Sequence, residues 1–211
     1  MNQKIFEEII SSLIPYYRDS AAAEDGAKKV GWRDAVAQKR RFVALAQLLP
    51  IETPFSINDL GCGHGDLLPF LWDFGFKAVD YAGYDVMEEM IRMAKTKQGK
   101  LSRKFALIKT ALEMRTADFT VASGIFNLRA NLSDKEWLAY ILDTLVQMDV
   151  RSVKGFAFNC LTRYSDEEYM RPELYYADPF FMFDHCKRRF SKNIALLHDY
   201  GEFDFTVIVR K

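Results

Sequence analysis

Apolar residues follow two rhythms along this chain. Between residues 4 and 18 they fall at Ile5, Phe6, Ile9, Ile10, Leu13 and Ile14, the spacing of a helix with one buried face. Pro15 falls near the end of that segment. Residues 19–32 are polar and rich in Ala and Gly and predict a loop or a short helical piece. A second helix is predicted from about Asp34 to Leu49, stopped by Pro50. From Ser56 onward, short apolar runs alternate with helical stretches. Strands are predicted over Ser56–Leu60, Asp80–Tyr84, Lys104–Ile108, Phe119–Ser123 and Val153–Asn159. Helices are predicted over about Asp66–Phe74, ended by Gly75, and Met87–Lys97. Another opens at Ser133-Asp134-Lys135-Glu136, a capping-box pattern, and runs to about Met148 with Trp137, Tyr140, Ile141 and Leu145 on its apolar side. Asn193–His198 and Phe203–Val209 flank Asp199-Tyr200-Gly201 and predict a closing hairpin.

Strand and helix alternating at this spacing predict an α/β domain: a seven-stranded, mostly parallel sheet with helices on both faces and a C-terminal antiparallel hairpin. The domain is expected over 35–211, preceded by an N-terminal helical extension or lid at 1–34.

Composition narrows the function classes. The 211 residues fit one domain, and half are hydrophobic (49%), enough for a sizeable core. Lys plus Arg equals Asp plus Glu at 29 each. A nucleic-acid binder needs a basic excess to neutralise phosphates, so that partner is disfavoured, with Lys187-Arg188-Arg189 as a local exception. Cys62, Cys160 and Cys186 form no CxxC pair. Their number and spacing argue against a disulfide framework or a metal site and fit a reducing, cytoplasmic setting. No apolar run approaches the length of a membrane span, and residues 1–8 lack the apolar core of a signal peptide.

The chemistry concentrates in Ile57-Asn58-Asp59-Leu60-Gly61-Cys62-Gly63-His64-Gly65, where a strand end and an acid lead through alternating glycines into a helix. Gly61 and Gly63 let the chain turn tightly and let a ligand approach the backbone. Dinucleotide enzymes use a related GxGxxG loop with a diphosphate on the helix N-terminus. Here the third glycine position of that pattern is Asp66, and Asp59 precedes the turn, so a dianionic ligand would meet two carboxylates. A sulfonium and an ammonium, the cations of S-adenosylmethionine, would be favoured by the same groups. Asp85, at the end of the next strand and about 20 residues beyond the glycines, suits a pair of ribose hydroxyls in either cofactor.

Asp59-Leu60-Gly61-Cys62-Gly63-His64-Gly65, with Asp85 and the terminal hairpin, resembles the class I S-adenosylmethionine-dependent methyltransferases, which have a Rossmann-like fold. The resemblance covers about residues 35–211. It implies that Gly61, Cys62 and Gly63 lie under the methionine part of the cofactor and that Asp59 sits near its amino group. Asp85 would hold the ribose, with Val86 and Met87 against the adenine. Ser123 and Gly124 would touch the methionine moiety and the acceptor. Many members of that family bind the adenine amine with an acid after the third strand. Here Ala111-Leu112-Glu113 stands there, so a backbone contact at Leu112 is expected instead. The segment Gly31-Trp32, Gln38, Arg41-Phe42 is expected to fold over the cofactor, with Arg41 either reaching its carboxylate or solvated on a surface helix.

The acceptor side is expected from the segments that follow strands four and five, Asn127 and Asn159 among them, and from an insertion at about 161–190. That insertion carries Tyr164, Tyr169, Tyr175, Tyr176, Phe180, Phe181 and Phe183. Tyrosines present an apolar face and a polar tip, which suits a small ring-shaped acceptor such as a sugar. Tyr164 and Tyr176 are the substrate candidates, and His185 and His198 the candidate bases, each with a packing or surface role as the alternative. The expected activity is methyl transfer to oxygen or nitrogen of a small-molecule or carbohydrate-like acceptor. An RNA or protein methyltransferase, a non-catalytic module binding the same cofactor and an NAD-dependent oxidoreductase stay open as alternatives.

Overall fold

The computed structural model describes residues 9–11, 13, 35–76 and 79–211. Residues 9–11 and 13 are helical. The rest of the expected extension at 1–34, including Gly31 and Trp32, lies outside the described residues. The chain then runs α1 (Ala35–Ala46), β1 (Phe55–Leu60), α2 (Leu67–Asp73), β2 (Val79–Asp85), α3 (Glu88–Gln98), β3 (Phe105–Leu107), β4 (Ala117–Ala122), α4 (Asp134–Arg151), β5 (Ser152–Leu161), α5 (Pro179–Arg189), β6 (Asn193–Leu197) and β7 (Asp204–Arg210). Every strand and helix predicted from residue 56 onward forms, with ends shifted by at most three residues, where local pattern is weakest.

The strands form one sheet in the order β3-β2-β1-β4-β5-β7-β6. Strands β1 to β5 are parallel, and β7 runs antiparallel between β5 and β6. The order reverses beside β1, because β2 leaves on one side and β4 on the other. In an open parallel sheet the crevice at such a reversal, at the carboxyl ends of the strands, is where ligands bind.

Alternation along the strands gives each sheet face its own core. Phe156, Phe158 and Cys160 of β5 and Phe205, Val207 and Val209 of β7 pack with Trp137, Ile141 and Leu145 of α4 on one face. Ile57, Phe119, Val121, Ala157 and Ile208 point to the other face, under α1, α2 and α3. The capping box expected at α4 is present: Ser133 Oγ accepts from the Glu136 N–H, and the Glu136 carboxylate accepts from the Ser133 N–H at 3.0 Å. Asp178 caps α5 by accepting from the N–H groups of Phe180 and Phe181. The three cysteines are free and buried. Among the described residues no helix is long and apolar enough to cross a membrane.

Candidate functional site

The loop after β1 is held in place by β2. The Gly61 and Cys62 N–H groups both donate to the Tyr84 carbonyl, at 2.8 and 2.9 Å. Gly61 has φ +75°, and a Cβ there would lie 2.1 Å from Cγ2 of Ile125. Conformation and contact therefore both require glycine at this position. Gly63 (φ +51°) donates its N–H to Asp85 Oδ2 at 3.0 Å, and Met87 donates to Asp85 Oδ1 at 2.9 Å. A carboxylate offers about four lone-pair sites, so Asp85 holds the two loops together and keeps capacity for further donors. Burial pushes its carboxyl up, and these backbone hydrogen bonds oppose the shift.

Asp59, next to last in β1, accepts from the Tyr81 hydroxyl at 2.6 Å. Burial raises its carboxyl to about 7, against the pull of that hydrogen bond. Burial also pushes the Cys62 thiol up, which disfavours its thiolate.

These residues line one cleft. Its walls comprise Asp59, Gly61, Cys62, Gly63 and Asp66 from the glycine loop, Asp85, Val86, Met87 and Met90 beyond β2, and Ser123, Gly124 and Ile125 after β4. Ile10 and Leu13 of the N-terminal helical residues, Gln38 and Phe42 of α1, and Tyr140 of α4 complete it. The post-β4 segment is fixed from two sides. Asn159 Oδ1 accepts from the Gly124 N–H at 2.8 Å, and Trp137 Nε1 donates to the Phe126 carbonyl at 2.8 Å.

Nine of the eleven residues expected at the cofactor meet here, and two do not. Arg41 is neither a cleft residue nor solvated: it is buried and paired with Asp204, its Nε 2.7 Å from Oδ2. The side chain beside it, Phe42, faces the cleft instead. Leu112 is exposed, and its backbone serves α4, with its N–H on Gln147 Oε1 at 3.2 Å and its carbonyl accepting from Arg151.

The acceptor candidates are spread along the β5 side of the same sheet edge. Asn159 is buried and acts on the cleft through Gly124. Asn127 accepts from the Leu161 N–H at 3.0 Å, tying the post-β4 segment to β5. Tyr176 accepts from the Arg171 N–H at 2.9 Å and so folds its own loop. Tyr164 is exposed, with ring centroids 6.4 Å from Phe180 and 6.3 Å from His198. His185 stands apart on α5 between the rings of Phe181 and Phe190, and burial lowers its basicity. Neither histidine is among the described lining residues. Ile10, Leu13, Met90 and Tyr140 were missed as site residues. Their apolar character reads as core in the sequence, and only the fold turns them to the cleft.

No protein-family model matches the chain. The Mycobacterium tuberculosis protein named "Putative methyltransferase Rv1506c" is 55% identical over 159 residues, covering 75% of this chain and 94% of that protein. Among solved structures, magnesium protoporphyrin IX methyltransferase from Synechocystis PCC 6803, with bound SAH, is similar with a TM-score of 0.63 at 13% identity, over 99% of both chains. Human N-acetylserotonin methyltransferase in complex with SAM has a TM-score of 0.60 at 11% identity, over 97% of this chain and 59% of that one. The two structures speak to the fold, and the mycobacterial relative speaks to the family. With a sheet reversing at β1 and a glycine loop clasped by Asp85, the chain belongs to the methyltransferase family and has the Rossmann-like fold of the class I, S-adenosylmethionine-dependent enzymes.

Proposed function

We propose that this cleft is the S-adenosylmethionine site and that the chain transfers a methyl group to oxygen or nitrogen of a small-molecule or carbohydrate-like acceptor. One observation carries the reading: the described lining includes three carboxylates, Asp59, Asp66 and Asp85, and no Lys or Arg. Carboxylates favour a ligand whose charges are a sulfonium and an ammonium. A dinucleotide diphosphate would meet only like charge.

In this reading the free lone pairs of Asp85 accept the ribose hydroxyls, and Val86, Met87 and Met90 flank the adenine. Gly61, Cys62 and Gly63 underlie the methionine part, Asp59 attracts its ammonium, and Ser123 and Gly124 border the acceptor. S-adenosylmethionine supplies, when bound, a methyl group on an already activated leaving group. What the protein adds is alignment of the nucleophile with that methyl, and the doubly fixed segment at Gly124–Phe126 is suited to it. Residues 161–190 and the turn before β7 would form the acceptor side, because Tyr164, Phe180 and Phe203 expose apolar rings there. His198, beside Tyr164, is the better candidate base, and His185 is a packing residue.

Calorimetric titration of S-adenosylhomocysteine into the wild type and Asp85→Ala tests the cofactor. Binding by the wild type, weakened at least tenfold in the variant, is the expected result. Absence of binding by folded, cofactor-free wild type would overturn the reading. A screen of sugars and small metabolites with radiolabelled S-adenosylmethionine then addresses the acceptor.

A further inference from the structure

Helix α1 presents two sides to the molecule. Gln38 and Phe42, four residues apart, line the cleft. Arg40 and Arg41 reach instead to Glu202, in the turn before β7, and to Asp204, the first residue of β7. Arg41 Nε donates to Asp204 Oδ2 at 2.7 Å, its Nη2 contacts the same oxygen, and Glu202 lies 3.6 Å away. Arg40 pairs with Glu202 at 3.0 Å. The side chains of Arg41, Glu202 and Asp204 are only 8%, 4% and 0% exposed, so these three are buried, while Arg40 is half exposed.

Asp204 is also tied to the post-β4 segment through the backbone. Burial raises its carboxyl, and Arg41 and then Asn127 oppose that shift. Asn127 closes the segment that carries the cleft residues Ser123, Gly124 and Ile125, and its Oδ1 holds the Leu161 N–H. Leu161 is in turn the partner of Asp204 in the β5–β7 register. Asp204 is thus linked by Arg41 to the helix bearing Gln38 and Phe42, and through Leu161 and Asn127 to the segment bearing Ser123, Gly124 and Ile125.

A buried ion pair is a poor source of net stability, because desolvating the charges offsets their attraction. What it supplies is geometry: the rigid guanidinium fork fixes distance and angle as an apolar contact does not. We infer that Arg41 and Asp204 are positioning residues, which set the separation of α1 from the post-β4 segment and so tune cofactor affinity without touching the cofactor. The inference rests on the cleft being the S-adenosylmethionine site.

The probe is S-adenosylhomocysteine, titrated calorimetrically into wild type, Arg41→Lys, Asp204→Asn, Gln38→Ala and the Arg41→Lys/Gln38→Ala double variant. Arg41→Lys keeps the charge and loses the fork, so it serves even where Asp204→Asn fails to fold. Expected is about a tenfold weaker Kd for Arg41→Lys, with unchanged circular dichroism. That loss should be much smaller in the Gln38→Ala background, because the effect passes through the cleft face of α1. Wild-type affinity in Arg41→Lys, even with a lowered Tm, would overturn the inference and leave the cofactor reading standing. Fully additive losses would overturn it too. Failure of the wild type to bind would overturn the cofactor reading, and this inference with it.

Discussion

Asp59 is a carboxyl group kept from water at the foot of a cleft suited to cations. Its titration is raised from 3.8 to about 7 by burial, partly opposed by the Tyr81 hydroxyl. Without a bound cation the fold therefore favours the neutral form relative to the unfolded chain. Its contribution to stability is complete below about pH 4 and is lost as the pH climbs towards 7. Asp59→Asn removes that dependence. Relative to the variant, the wild type should lose on the order of a few kcal/mol between pH 4 and pH 8. Urea unfolding of both proteins across that range measures the difference, and parallel stability curves would refute the shift. Asp59, the glycines and Asp85 were legible as a site because their spacing is local. The titration of Asp59 was not, because the burial that raises it and the Tyr81 hydroxyl that opposes the rise both arise only when the sheet assembles and β1 pairs with β2.

Among the elements, α4 shows how packing becomes site geometry. Its cap, its length and its apolar stripe are all written in consecutive residues, and the helix forms as they predict. That Trp137 would reach across to the Phe126 carbonyl is not written there, since the partner sits beyond a loop. Trp137→Phe keeps most of the buried ring and leaves that carbonyl without its donor. The expected cost is about 1–3 kcal/mol in chemical denaturation, together with weaker S-adenosylhomocysteine binding as the post-β4 segment loosens. Equal stability would show that the bond contributes little. The misreadings of Arg41 and Leu112 have one physical cause. Each expectation rests on the place that similar enzymes give the segment, and each residue is held here by a partner remote in sequence: Asp204 for Arg41, Gln147 and Arg151 for Leu112. His185 differs again, because a helical histidine flanked by aromatics reads alike whether it packs or reacts.

For the whole molecule, the alternation of strands and helices was enough to predict a parallel sheet with a terminal hairpin. The strand order was not, since nothing local says that the last strand inserts between β5 and β6. That insertion has a consequence in time. A ribosome delivers β7 after the six other strands, yet six of its seven residues, Asp204 to Val209, are buried. Until they emerge, β5 lacks one neighbour and β6 lacks the partner that joins it to the sheet, so the apolar faces of both wait in the open. The domain should therefore close after synthesis of its last strand, in one late step. A chain truncated before Asp204 should fail to fold and should associate with chaperones or aggregate, a result readable by limited proteolysis of stalled and released chains. For a protein built this way, the hazardous interval is the one just before its final strand arrives.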